Sequence, residues 1–355
     1  MYFLIKNNSK QKKQKKKKFF IKINICLLKY LLLFMFIIIN FIIKYEGKNH
    51  RKTSENYHLN KYKLYNQIKL DYDHNKFAII RNNCKHCGLF AFYKHYLGCL
   101  LTFINKGYIP IIDLSSFPNI FNKFNITSLN NNPWEYYFNQ PYEYTLENVI
   151  KKAKNIKYFE CYYSFDFPRH NIYSNKNIND FWRGIALKYI PLKNEIIKEA
   201  DSIIINLFKA SNNILGILAR GTDYVSFKPK NHPIPPKAEI MIKDIKEMDN
   251  QNNYDWFFLT TEDDLIRLIF IKNLGYKLKY LVNKKNIKYD YKKKDFLCLN
   301  KNIRGNLDYI KIYLINIIIL SKCIDIVCAR TSGAIGAFIL GNGFRNTKIY
   351  YLGNY

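Results

Sequence analysis

The chain has 355 residues, 48% of them hydrophobic, and a formal net charge of +30 at pH 7. That length gives room for two domains of ordinary size with substantial cores. Lysine occurs almost everywhere and is concentrated in one N-terminal tail, arginine is scarce, and no RNA- or DNA-binding motif stands out. The charge therefore reads as a Lys- and Asn-rich composition rather than as a nucleic-acid footprint, though it can help attract acidic donors or anionic membrane.

Residues 1–18 form a basic tail ending in KKQKKKK. Phe19 to Ile43 is strongly apolar, broken by Lys22 and Lys29. Its cleanest part, Tyr30 to Ile43, is shorter than the roughly 20 residues a spanning helix needs. Adding Phe19 to Lys29 supplies the length if Lys22 snorkels. No small-residue cleavage site follows, which favours a single-pass signal anchor over 19–44 rather than a cleaved signal peptide. Lysines ahead of the span put the N-terminus in the cytoplasm. The rest would then lie in a Golgi or ER lumen in a eukaryote, or beyond the cytoplasmic membrane in a bacterium. Residues 45–75 are polar and read as a stem. Asp71-Tyr72-Asp73 has an Asp-x-Asp form, but in polar surroundings, and is taken as incidental.

From residue 76 strands and helices alternate, as in an α/β domain. Lys76–Arg81 predicts a strand, NNCKHCG a loop, Leu89–Ile104 a helix, and GYIPIIDL a second strand with Asp113 near its end. Cys84 and Cys87 form the single Cys-x-x-Cys among eight cysteines. A zinc site needs more ligands, so no metal is expected, and a disulfide between the two is left open. Asn131–Pro141, NNPWEYYFNQP, groups Trp134, Tyr136, Tyr137 and Phe138 with Glu135 and Gln140. It is either a sugar-stacking platform or a packed aromatic loop. Thr145–Ser164 reads as a helix leading to a strand. Phe181–Phe208 reads as helical with a break near Pro191. A first domain over 76–210 and a second over 211–355 follow.

The second domain opens with the apolar run Ile214–Ala219, the pattern of a buried parallel strand. Arg220, Gly221, Thr222 and Asp223 follow at once. In open α/β sheets ligands bind at the carboxyl ends of strands, and the arginine fork suits phosphate. The alternative is a structural Arg–Asp pair. Ala238–Asn250 predicts a helix. Trp256–Thr261 predicts a strand closed by Glu262 and Asp263, Leu265–Leu274 a helix, and Leu278–Val282 a strand. Asn283–Gly305 reads as a loop and Leu307–Ser321 as a buried helix. Ile324–Ala329 predicts another strand, followed by Arg330, Thr331, Ser332, Gly333 and a helical run over Ala334–Leu340. Strand, hydroxyls and glycine, then helix start is an arrangement that binds phosphate, although Thr331 or Ser332 could be a plain N-cap. Lys348–Leu352 predicts the last strand.

RGTDY with KPKNHPIPP, LTTED at Leu259–Asp263, and SKCIDIVCARTSG together resemble the fucosyltransferase superfamily. The likeness is closest to bacterial and protist relatives of the α1,6- and protein O-fucosyltransferases. It covers roughly Lys76 to Tyr355. Leu218 stands where many members carry a histidine two residues before the motif arginine. Ser321 and Asp325 are one residue further apart than the S-x-x-D spacing of the later motif.

The resemblance implies a GT-B architecture: two Rossmann-like domains facing a cleft. It also implies inverting, metal-independent transfer of fucose from GDP-fucose to a glycan or protein acceptor, with no cofactor beyond the donor. Arg220 would take charge on the departing diphosphate, with Thr331, Ser332 and the Gly333 amide next. Asp223 would orient Arg220 or accept from a ligand hydroxyl, and Asp325 would position the guanosine part or else simply cap a strand start. Arg330 would touch phosphate or pair with Asp325. Glu262 and Asp263 would border the crevice, and His232 and Lys228 would close over the donor. Glu135 and Asp113 are the candidate general bases. Transfer from another nucleotide sugar, and a non-catalytic glycan-binding or scaffold protein, are the competing readings.

Overall fold

The computed structural model describes residues 70–121, 132–161, 167–168, 171–209, 211–282, 289, 291–292, 296–297, 300 and 303–355. The expected tail, membrane segment and most of the stem lie outside these residues. Among the described residues no helix is long and apolar enough to cross a membrane. Residues 70–355 form one compact unit.

Two parallel sheets organise this unit. The first holds β1 (Lys76–Arg81), β2 (Ile109–Asp113) and β3 (Asn155–Glu160) in the order β2-β1-β3. Helix α1 (Leu89–Asn105) links β1 to β2, and α2 (Leu146–Lys152) precedes β3. Helices α3 (Lys176–Tyr189) and α4 (Asn194–Phe208) lead away from this sheet. The break near Pro191 falls between them. α3 begins earlier than the apolar pattern suggests because the Asn175 side chain caps it, accepting from Ile178 N at 3.1 Å.

The second sheet is built from β4 (Ile214–Leu218), β5 (Trp256–Thr260), β6 (Leu278–Tyr280), β7 (Asp325–Ala329) and β8 (Thr347–Tyr350). Their order is β6-β5-β4-β7-β8, with every neighbouring pair parallel. The first strand in sequence is thus central, and the chain switches direction across the sheet between β4 and β7. This doubly wound order opens a crevice at the carboxyl ends of those two strands. The connecting helices are α5 (Thr222–Ser226), α6 (Ala238–Asn252), α7 (Asp264–Leu274), α8 (Leu307–Ser321) and α9 (Ser332–Leu340).

All five residues of β4 and of β7 are buried, which is why β4 reads as an unbroken apolar run and β7 as one after Asp325: helices cover both faces of a parallel sheet. On one face Leu215, Ile217, Val327 and Ala329 pack with Met241, Ile245, Phe257 and Phe270. Across the sheets, α9 packs against α1 as well as α8. Gly336 makes the α1 contact possible, since a Cβ there would overlap the Phe90 ring.

Among the described residues two disulfides are formed, Cys84–Cys87 in the loop after β1 and Cys99–Cys161, which joins α1 to the end of β3. Cys323 and Cys328 are buried free thiols, and burial pushes both thiols upward.

Near the first sheet one open alternative is resolved and one expectation corrected. Trp134, Tyr137 and Phe138 are fully buried, with the Trp134 and Phe138 rings stacked 4.3 Å apart. The Asn132–Pro141 stretch is therefore mainly core packing rather than a sugar platform, with Tyr136 left partly exposed. Glu135 holds that packing together: its Oε1 accepts from Leu146 N at 2.8 Å and Gln140 Nε2 at 2.9 Å. Asp113 is likewise committed, accepting from Ser115 N at 2.8 Å and Arg81 Nε at 3.0 Å. Neither carboxylate borders the cavity described next, so neither is placed to act as a base there.

Candidate functional site

A cavity of about 690 Å³ lies where the carboxyl ends of β4, β5 and β7 meet the loop and helix that follow β1. Arg220, Asp223, His232, Glu262, Arg330, Thr331, Ser332 and Gly333 all line it. Eight of the residues singled out from sequence are thus brought to one place, although they span more than a hundred positions.

Arg220 leaves the end of β4 and is held from both sides. Its Nη2 donates to Asp223 Oδ1 and its Nη1 pairs with Glu262 Oε2, each at 3.2 Å. The guanidinium lies 4.4 Å from the Tyr224 ring centre, and the buried Nε–H has no hydrogen-bond partner among the described residues. Burial opposes the charge on Arg220, but Glu262 and Asp223 outweigh it and keep the group cationic. For Glu262 burial dominates: it raises the carboxyl pKa, and the pull of Arg220 only partly offsets this.

The turn after Arg220 is strained. Thr222 has φ +42°, a region that costs a β-branched residue about 1–3 kcal/mol. Three bonds hold it there. Thr222 N donates to Asp263 Oδ2 at 2.8 Å, and its Oγ1 reaches Glu262 Oε1 and Asp223 Oδ1 at 3.1 Å each. Gly221 is needed beside it, because a Cβ there would strike the Asp263 side chain. Asp263 itself caps α7, accepting from Leu265 N at 2.9 Å. It stands behind the strained turn rather than in the cavity.

On the other side of the crevice the Thr331 hydroxyl caps α9, accepting from Ala334 N at 3.2 Å. Ser332 and Gly333 form the first turn of that helix. Helix N-termini carry backbone N–H groups without intrahelical partners and a partial positive charge. Here that end borders the same cavity as the Arg220 cluster. Arg330 lies against aromatic faces, 4.5 Å from the Tyr351 ring centre and 5.8 Å from that of Tyr173. His232 sits at the rim with its ring edge-on to Tyr224 at 5.5 Å. Lys228 is exposed and does not line the cavity.

Asp325 is at the opposite end of β7. It lies about 13 Å from Ala329 at ordinary strand rise, so it can neither reach the cavity nor pair with Arg330. Instead it is fully buried and accepts from Arg345 Nη2 and Asn346 N, both at 2.7 Å, and from the Tyr254 hydroxyl. Burial would raise its pKa, but the bonds from Arg345, Tyr254 and Asn346 prevail and hold it below the ordinary carboxylate value.

Several lining residues were not singled out from sequence. Tyr309, Tyr313 and Asn316 lie along one stripe of α8 that faces the cavity. Their i, i+4, i+7 spacing in an otherwise Ile- and Leu-rich helix is a readable signal. Burial pushes Tyr309 up to about 12 and raises Tyr313 further. Lys94 and His95 on α1 and His86 in the disulfide loop come from the first sheet, and only tertiary packing reveals them. Among the described residues no group of three or more His, Cys, Asp or Glu is arranged to hold a metal ion.

No protein-family model matches the chain, and no curated protein matches it. Similar solved structures include NodZ α-1,6-fucosyltransferase soaked with GDP-fucose, at 12% identity and TM-score 0.44 over 75% of this chain and 93% of that one. Fucosyltransferase NodZ from Bradyrhizobium matches at 11% identity and TM-score 0.43, over 74% and 92%. POFUT1 in complex with GDP-fucose matches at 9% identity and TM-score 0.45, over 78% and 98%.

Proposed function

We propose that this chain is a glycosyltransferase that binds a nucleotide-sugar donor at the β4/β7 crevice and transfers the sugar to a glycan or protein acceptor. The observation carrying this reading is that Arg220 and the N-terminus of α9 face one cavity from adjacent central strands. A diphosphate is well held by two anion-binding elements on one cavity, and the crevice offers them. The motif resemblance at Arg220–Pro236, Leu259–Asp263 and Ser321–Gly333 makes GDP-fucose the proposed donor. A GT-B arrangement and inversion belong to the same proposal.

In such a transfer the bond between the sugar's anomeric carbon and the β-phosphate oxygen breaks as the acceptor hydroxyl oxygen bonds to that carbon, and the hydroxyl proton passes to solvent. The sugar passes through an oxocarbenium-like state while negative charge grows on the leaving diphosphate. Arg220, fixed by Asp223, Glu262 and the Tyr224 face, presents charge to that leaving group without having to reorganise. The Ser332 hydroxyl and the first N–H groups of α9 receive the rest, and no metal is required. The disulfides fit an oxidising compartment, so we place the domain in a lumen or outside the cytoplasmic membrane, anchored through residues 19–44.

The test is titration of the full chain with GDP and UDP in the presence of EDTA, followed by GDP-fucose turnover, for wild type and Arg220→Ala. GDP binding that survives EDTA, with turnover falling about 100-fold or more in the variant, is the expected result. Preference for UDP would change the donor. Absence of nucleotide binding by folded protein would overturn the enzyme reading in favour of a binding or scaffold role.

A further inference from the structure

We infer that Lys94, contributed by the first sheet's helix, is a diphosphate-binding residue of the same crevice and closes it from the side opposite Arg220. This rests on the donor reading above and adds a residue that neither strand-end motif contains.

The helix crossing fixes where Lys94 stands. Phe90 and Lys94 are one turn apart on α1, so they share a face. Ser332 and Gly336 are likewise one turn apart on α9. The Phe90 ring occupies the space left by the missing Gly336 side chain. One turn further along the antiparallel crossing, Lys94 Nζ lies 3.5 Å from Ser332 Oγ. The Phe90 ring is also packed edge-on against Tyr313, 5.8 Å between centres, and Tyr313 lies beneath the first turn of α9, its hydroxyl 2.6 Å from where a Gly333 Cβ would sit. The lysine stem is therefore aimed by packing rather than by a loop, and both Lys94 and Ser332 line the cavity.

Charge explains why a lysine belongs here. Two carboxylates already neutralise much of Arg220. A diphosphate brings at least two negative charges beside Glu262 and Asp223, which repel it. A compact ammonium at the helix start supplies point charge where the dipole of α9 also favours an anion. With Arg220 on one side and Lys94 on the other, the anion is gripped by both sheets, so Lys94 binds the phosphates and has no role in recognising the base.

The experiment is titration of the full chain, wild type and Lys94→Met, with GDP or UDP, whichever binds the wild type, and with the matching nucleoside. Losing one hydrogen bond to a charged group predicts roughly 10- to 100-fold weaker diphosphate binding. Nucleoside affinity should be unchanged, and Lys94→Arg should restore much of the loss. Equal weakening of diphosphate and nucleoside would mean a general packing effect and would overturn the assignment. So would an unchanged diphosphate affinity in Lys94→Met while wild type binds normally. Failure of the wild type to bind any nucleotide would remove the donor reading itself, and the Lys94 assignment with it.

Discussion

Asp325→Asn separates a structural carboxylate from a ligand-binding one. The side chain is fully buried and takes hydrogen bonds from Arg345, Asn346 and Tyr254. Breaking a buried ion pair typically costs about 3–5 kcal/mol. Arg345 has 45% of its side chain exposed, so water can rehydrate it, and about 3 kcal/mol is expected. For a folded unit spanning Leu70–Tyr355, whose unfolding entropy is about 0.6 kcal/mol/K, that lowers Tm by roughly 5 °C. The pH dependence has a definite sign. The folded-state pKa of Asp325 is depressed, so its contribution is present above the unfolded-state value and is lost as pH falls through the folded-state one. The gap in Tm between wild type and variant should therefore be full at pH 7 and shrink once pH drops below the ordinary carboxylate range. Thermal melts at pH 7 and near pH 3, with nucleotide titration at pH 7, provide the readout. A variant of normal stability that has lost nucleotide binding would refute the reasoning and return Asp325 to the donor site.

Two further outcomes follow from packing. Gly336→Ala should cost about 1–3 kcal/mol by overpacking against Phe90, and because it shifts α1 it should also weaken diphosphate binding; melts and titrations on the same samples test both. Cys99→Ser opens a link between residues 62 positions apart, worth about 4 kcal/mol on loop-entropy grounds. Denaturant unfolding of this variant should show a correspondingly lower midpoint, whereas an unchanged midpoint would mean that packing alone holds β3 to α1.

The second sheet was legible because strands buried on both faces leave apolar runs, as Ile214–Ala219 and, past Asp325, Ile326–Ala329 do. The residues directly after them, Arg220 and Arg330–Gly333, were legible because a strand's carboxyl end has a fixed place in a doubly wound sheet. Asp325 misled because it stands at the amino end of its strand, where a polar residue meets the opposite edge of the sheet. Trp134 and Glu135 misled because aromatic and polar residues can alternate in a core as readily as at a sugar site; the partners that decide it, Gln140, Leu146 and Phe138, are chosen by the fold. Lys94 left no trace, since nothing in α1 announces which helix will cross it.

The crossing of α1 and α9 also bears on how the crevice can open. A seam that swings needs surfaces able to part and rejoin at little cost. Here a phenyl ring is seated in the backbone notch of Gly336, so parting the sheets would empty that notch and expose Phe90, a residue almost wholly shielded from water. Traffic into the crevice is then borne by the segments at its mouth, while the two sheets move as one body. The spacing between Arg220 on the second sheet and Lys94 beside the first then stays fixed, and with it the length of anion the crevice will accept.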